Sequence, residues 1–168
     1  MKSEIQVPIP AAWTGIKFNK IFVNIVTYSG YRGCRADRAA FEAYLSPDPD
    51  AETMGETVLK ALSFSRTIDI DEIPVFFDRA AVKLLYETWV AYVAERFAYK
   101  SRRVLFKDLM SCSVTRSKGF ITIHPSRRKG SESWIGLENY DESAVVLDEA
   151  CTAVELGEGL LLAMQRCE

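Results

Sequence analysis

The sequence predicts an α+β fold, in which a mainly antiparallel sheet of about five strands packs against three to four helices in a single domain. Three observations support this class. A β-branched and aromatic run precedes residue 30, apolar residues recur at helical spacing between residues 54 and 97, and the apolar period changes to two after residue 111. With 168 residues, of which 48% are apolar, the chain can bury one core.

Residues 1–50 are predicted to form an N-terminal strand and a long loop. Lys20–Tyr28 is rich in β-branched and aromatic residues, and this composition favours a buried strand. The Gly-, Arg- and Asp-rich stretch after it predicts a loop with a short helix near Ala39–Leu45. Two prolines, at positions 47 and 49, then end that helix.

Residues 51–110 are predicted to be helical. Either Asp50 or Thr53 can cap the first helix, whose apolar face begins at Met54. The second helix is the clearest element, because seven apolar side chains recur on one face: Val82, Leu85, Tyr86, Trp89, Val90, Val93 and Phe97. The predicted helices are one that ends near Arg66, one at Arg79–Phe97 with Asp78 as its cap, and one at Ser101–Met110.

Residues 111–148 are predicted to form a β-meander, and residues 152–167 a C-terminal helix. That helix begins with the capping box Thr152 and Glu155. Gly157 and Gly159 are costly inside a helix, so they predict a close approach to the sheet, with Gly157 on the contact face. The predicted meander strands are Cys112–Arg116, Phe120–His124, Trp134–Leu137 and Ala144–Leu147.

The cysteines and the apolar runs indicate a cytoplasmic protein without a metal site. The four cysteines form no Cys-x-x-Cys pair, and one histidine cannot complete a common zinc site. We therefore expect reduced thiols that pack as small apolar side chains. No apolar run is long enough for a signal peptide or a membrane span, so no membrane partner is expected.

His124 and the cations after it are the most conspicuous candidate for chemistry. Pro125 is expected to end the strand, and Arg127, Arg128 and Lys129 then fall in a polar loop up to residue 132. The loop lacks the paired glycines and the following helix of a phosphate-binding loop. The two interpretations are a phosphate contact and an ordinary solvated turn, with a packing role for the histidine; we favour the second. No catalytic residue, cofactor or small-molecule substrate is predicted.

Charge is distributed unevenly along the second half of the chain. Residues 100–129 carry nine Lys or Arg and one Asp, whereas residues 130–168 carry nine Asp or Glu and one Arg. Two interpretations follow. Neighbouring elements neutralise each other, or one face displays a single sign of charge to a partner.

Five segments together resemble the CdiI family of immunity proteins from bacterial contact-dependent growth inhibition systems. Their order and spacing carry the resemblance, which covers residues 54–167. The segments are Met54–Arg66, the long helix with Tyr86 and Trp89, Phe97–Cys112, Ile121–Pro125 with Trp134, and Glu155–Cys167.

The resemblance implies a protein inhibitor without catalysis of its own. Proteins of this family bind the C-terminal toxin domain of their cognate CdiA protein inside the producing cell and block it. The toxins of these systems are often nucleases that act on tRNA or DNA. The expected partner is therefore a CdiA C-terminal toxin domain, and direct binding of nucleic acid is not expected.

Acidic side chains are the candidate contacts with such a toxin. Nuclease active sites are positively charged because they bind phosphate backbones, and carboxylates can imitate that backbone. Tyr140 lies between two acidic groups and is of the residue type that often anchors interfaces. The candidate partner-binding residues are Asp69, Asp71, Glu72, Glu138, Tyr140, Asp141 and Glu142.

The main alternative function is a nucleic-acid-binding or regulatory module that uses the basic segment 100–129. Such a module would bind plain RNA or DNA with a steep dependence on salt. A small enzyme would instead need His124 and a carboxylate to meet in a pocket.

Overall fold

The structure, a computed structural model, describes residues 8–168, so residues 1–7 of the predicted N-terminal segment lie outside the described part. The strands are β1 (Ala11–Phe18), β2 (Val23–Gly30), β3 (Cys34–Ala36), β4 (Glu42–Leu45), β5 (Met110–Ser117), β6 (Phe120–Arg128), β7 (Trp134–Gly136) and β8 (Val145–Asp148). The helices are α1 (Ala51–Ser63), α2 (Ile73–Phe76), α3 (Arg79–Arg96), α4 (Arg102–Lys107), α5 (Tyr140–Ser143) and α6 (Ala153–Gln165).

The strands form an antiparallel sheet in the order β3-β2-β1-β5-β6-β7, with β4 also paired to β2 and β8 to β6. The α+β class is confirmed, but the sheet has eight strands within residues 8–168 rather than about five. The predicted meander is confirmed for β5, β6 and β7, but it is wrong for β8, which pairs with β6 and not with β7. Because β7 pairs only with Ser126–Arg128, the Phe120–Ile123 edge of β6 is left for β8.

Strands β1 and β4 correct the prediction for residues 1–50. The Ala11–Phe18 strand was not predicted, because its alanines, glycine and lysine favour strands weakly. It is nevertheless paired on both sides, with β2 and β5. The helix predicted near Ala39–Leu45 is wrong, since Glu42–Leu45 pairs with Val23–Val26 of β2. Tertiary pairing overrides a weak local preference in both segments.

The helix boundaries follow local capping chemistry. Asp50, not Thr53, caps α1, because its side chain accepts a hydrogen bond from Thr53 N at 2.8 Å. Asp78 caps α3 as predicted, and the capping box of Thr152 and Glu155 is present in α6. Helix α4 is shorter than the predicted Ser101–Met110 because Met110 already begins β5.

Two apolar clusters lie on either side of the sheet. The larger one lies between the sheet and helices α1 and α6, and it includes Ile16, Ile25, Met54, Leu62, Val114, Ile121, Ile123, Leu156 and Leu160. The smaller one is largely aromatic and joins α3 and α4 to the turn after β1 through Phe22, Trp89, Val90, Val93, Leu105, Phe106 and Leu109. No helix among residues 8–168 has the length and apolar character that crossing a bilayer requires.

Helices α1 and α6 meet in backbone contact at two glycines. A Cβ added to Gly55 would overlap the carbonyl of Ala153, and one added to Gly157 would overlap the carbonyl of Ala51. The prediction that Gly157 faces the sheet is therefore wrong, because Gly157 faces α1. Gly159 does face the sheet, since an added Cβ would lie 3.0 Å from Leu147 Cδ1.

We expect Gly157→Ala to lower the free energy of unfolding by about 1–3 kcal/mol, because the overlap with α1 outweighs the gain in helix propensity. Urea denaturation would measure this. Gly33→Ala is the control, since the space around Gly33 is open, and its effect should stay within about 0.5 kcal/mol. An increase in stability for Gly157→Ala would contradict the backbone contact.

Candidate partner-binding site

Helix α3 is anchored to the sheet face opposite α1 and α6 by its second half. Trp89, Val90 and Val93 are buried there. The Trp89 Nε1 donates to the Tyr44 hydroxyl at 3.0 Å, and the Nζ of Lys17 lies 5.9 Å from the Trp89 ring. The second half of α3 is therefore tied to β1 and β4.

A charged network beside Trp89 strengthens this anchor. The Arg38 guanidinium lies 4.5 Å from the Trp89 ring centroid and pairs with Glu42 at 2.6 Å. The Tyr44 hydroxyl donates to the same carboxylate at 2.6 Å. Burial and this hydrogen bond to Glu42 raise the pKa of Tyr44, so the phenol keeps its proton and remains a donor.

The first half of α3 is not anchored in the same way. Leu84 and Leu85 are 67% and 51% exposed, and Val75 of the preceding α2 is 78% exposed. The predicted core stripe is thus wrong at Leu85, whereas Val82 and Tyr86 are half-buried and Tyr86 packs against the aromatic cluster.

A cleft of about 400 Å³ lies between this half of α3 and the β2–β3 edge of the sheet. Val82, Leu85 and Tyr86 line it from α3, and Tyr28 with residues 34–39 line it from the sheet side. The sequence analysis missed this cleft. Val82, Leu85 and Tyr86 belong to the predicted core stripe, and helical spacing alone does not distinguish a buried face from the wall of a cleft.

The predicted acidic residues at 69–72 lie beside this cleft. Asp69, Asp71 and Glu72 are exposed. Arg66 pairs with Glu72 at 2.8 Å, and its guanidinium lies 5.7 Å from the ring centroid of Phe76. Arg35, which lines the cleft, lies over the same ring at 3.6 Å. These residues and the cleft therefore form one continuous surface, named here the cleft surface.

The second predicted acidic group surrounds α5 at the other edge of the sheet. Glu138, Asp141 and Glu142 are exposed beside β6 and β7. The ring of Tyr140 stacks on His124 with a centroid separation of 4.0 Å, so Tyr140 is only partly free to contact a partner. The two acidic groups lie beside opposite edge strands, β3 and β7, and they do not form one patch.

His124 has the packing role that the sequence analysis favoured. Burial lowers its pKa, while the nearby Asp141 carboxylate opposes that shift. The strand does not end at His124 as predicted, because β6 continues through Pro125 to Arg128. Within residues 8–168, no three His, Cys, Asp or Glu side chains come together in an arrangement that could hold a metal ion.

The basic segment 100–129 is partly neutralised by the structure itself. Arg102 binds Glu87 with an Nη1–Oε2 distance of 2.5 Å and also binds both carboxylate oxygens of Glu132. Hydrogen bonds from Arg102 lower the pKa values of both glutamates. Arg128 donates to the carbonyls of Phe106 and Leu109. Of the nine Lys and Arg side chains in segment 100–129, Arg102 and Arg128 are therefore engaged in contacts within the protein.

We expect Arg128→Met to lower the free energy of unfolding by about 1–3 kcal/mol, because two part-buried carbonyls lose a charged donor. Chemical denaturation would measure the change. Lys129→Met removes a neighbouring charge and is the matched control, with an expected effect within about 0.5 kcal/mol. Equal small effects for both would mean that Arg128 does not stabilise the end of α4.

Comparisons with known proteins agree on one family. The family model for CdiI, the CDI immunity protein, matches residues 12–167. The chain belongs to the CDI immunity protein family. The resemblance drawn from residues 54–167 is thereby confirmed, and it extends through the N-terminal strands.

Individual relatives match over almost the whole chain. The immunity protein CdiI-YPIII of Yersinia pseudotuberculosis serotype O:3 (strain YPIII) is 32% identical, with 95% of this chain and 97% of that protein covered. A protein of unknown function from Neisseria meningitidis superposes with a TM-score of 0.89 at 37% identity, covering 95% of this chain and 96% of the other.

A third similarity is to a structure solved as a complex. A chain of the CdiA-CT/CdiI toxin and immunity complex from Yersinia pseudotuberculosis superposes with a TM-score of 0.86 at 32% identity. The match covers 95% of this chain and 99% of that chain. A member of the family from Yersinia has thus been seen together with its toxin.

Proposed function

We propose that this protein neutralises the C-terminal toxin domain of a cognate CdiA protein by binding it in the cytoplasm. The observation that carries the proposal is the match, over nearly the full length, to a chain of a toxin and immunity complex. We also propose that the toxin is a nuclease. The protein acts by offering a preformed surface, without a cofactor or catalysis of its own.

We expect co-expression of this protein with the C-terminal domain of its cognate CdiA to restore growth, and the two to co-purify as a stable pair. Degradation of tRNA or DNA by the toxin domain alone would identify a nuclease. Binding that persists in high salt distinguishes a specific protein complex from attraction of plain nucleic acid to segment 100–129. Failure to bind the toxin domain, combined with salt-sensitive RNA or DNA binding, would favour the alternative function.

The cleft surface is our first proposal for the toxin contact. Leu85 lines the cleft and is exposed, so its burial by a partner can supply affinity. Asp69 and Asp71 beside the cleft can attract the basic active site of a nuclease and select the partner. Within the described residues, Glu72 is the only carboxylate of the three in an ion pair, so the two aspartates are free to meet external cations.

The acidic group around α5 is our second proposal for the contact. Glu138, Asp141 and Glu142 are exposed and close in sequence, and a basic partner can approach them from the β7 edge. Tyr140 contributes the exposed part of its ring. Because the two groups lie beside opposite edges of the sheet, substitutions in each can be tested independently.

We expect Asp69→Lys with Asp71→Lys to weaken toxin binding at least tenfold, chiefly by slowing association at low salt. Isothermal titration calorimetry would measure the affinity, and surface plasmon resonance would measure the association rate. Asp141→Lys with Glu142→Lys tests the α5 group in the same assay. Glu158→Lys, at an exposed position of α6, is the control.

The apolar part of the cleft surface is tested by Leu85→Asp in the same assay. Leu85 is exposed, so this change should reduce affinity while the free energy of unfolding changes little. Unchanged affinity for all variants of the cleft surface would exclude it as the contact. Unchanged affinity for the α5 pair would exclude the second group.

A further inference from the structure

Glu168 pairs with β6 through two backbone hydrogen bonds. Glu168 N donates to Ser126 O at 3.1 Å, and Arg128 N donates to Glu168 O at 2.9 Å. Arg166 Nη1 donates to Ser143 O at 2.8 Å, which ties the same segment to α5. The segment 166–168 is therefore a fixed part of the fold.

Two free thiols meet where this segment crosses β5. The Sγ atoms of Cys112 and Cys167 are 3.3 Å apart, and the Cys167 Sγ also lies 3.3 Å from Ser111 O. Cys112 lies in β5 with its side chain buried, whereas Cys167 is partly exposed. A disulfide bond is about 2.05 Å long, so the sulfurs need to approach by only about 1.3 Å.

We propose that Cys112 and Cys167 form a reversible disulfide that locks the C-terminal segment to β5 when the cell is oxidised. A disulfide at this position differs from the sequence-based expectation that all four cysteines stay reduced and act only as packing residues. Cys34 and Cys151 are not part of it. A disulfide in an intracellular protein is typically transient and responds to redox conditions.

Glutathione disulfide is the oxidant by chemical class. The Cys167 thiolate attacks one of its sulfurs, which forms a mixed disulfide and releases one glutathione thiolate. Cys112 then loses its proton to solvent or to that thiolate and attacks the Cys167 sulfur. The second glutathione leaves as a thiolate, so two protein thiols are oxidised and one glutathione disulfide is reduced to two thiols.

The environment of the pair suits this order of attack. The hydrogen bond shared with Cys112 lowers the pKa of Cys167, and the Ser126 backbone N–H contributes in the same direction, while burial opposes both. The hydrogen bond to Cys167 and burial raise the pKa of Cys112. Cys167 is thus the more acidic and more accessible thiol, which a first nucleophile needs to be.

The disulfide closes a loop that contains β6, β7, α5, β8 and α6. Closing so long a loop restricts the unfolded chain, so the oxidised protein should resist unfolding more than the reduced one. Because Arg166 holds Ser143, the link also fixes the position of α5. This consequence does not depend on the identity of the toxin.

We expect incubation of the folded full-length chain with glutathione disulfide to yield one intramolecular link between Cys112 and Cys167. Acid quenching, alkylation of free thiols and mass spectrometry of a non-reduced digest would identify the linked peptides. The Tm of the oxidised protein should exceed that of the reduced protein by about 5 °C or more. Excess reduced glutathione should reverse both changes.

Cys167→Ala should remove the linked peptides and the Tm difference between oxidising and reducing conditions. The double variant Cys34→Ala with Cys151→Ala is the matched control and should keep both. Comparing the two conditions within each variant separates the redox effect from any change in intrinsic stability. A link through Cys34 or Cys151, a disulfide-bonded dimer, or no link in excess glutathione disulfide would overturn the proposal.

Discussion

The backbone contact between α1 and α6 is the constraint on which the arrangement of the rest depends. Gly55 and Gly157 allow the two helices to approach until carbonyl groups occupy the space of a side chain. Together the helices cover one face of the sheet and bury its apolar side chains. The opposite face is left to α3 and α4, and α3 covers it mainly with its second half.

This unequal covering of the sheet produces the cleft surface. Helix α3 is anchored by Trp89, Val90 and Val93 in its second half, and a cleft separates its first half from the β2–β3 edge of the sheet. The apolar side chains in that first half are then available to a partner. A protein that inhibits by binding needs such a preformed surface, because ordering a flexible one would cost conformational entropy.

Contacts within the protein neutralise part of the charge of the basic segment 100–129. Arg102 is held between Glu87 and Glu132, and Arg128 is directed at backbone carbonyls. The segments 100–129 and 130–168 thus neutralise each other in part, as one of the two interpretations of the charge pattern expected. The acidic residues at 69–72 and around α5 remain exposed, although the sequence could not show that they lie beside different edges of the sheet.

Local chemistry determined the fold class, most helix boundaries and the caps Asp78 and Thr152, because these follow from spacing and residue type. The order of five segments gave the resemblance to the immunity family, which the family model confirms. Tertiary structure decided the central position of β1, the strand at Glu42–Leu45 and the exposed half of α3. It also brought Cys112 and Cys167 together across 55 residues. These features depend on contacts between segments distant in sequence, and neither hydrophobic period nor propensity encodes such contacts.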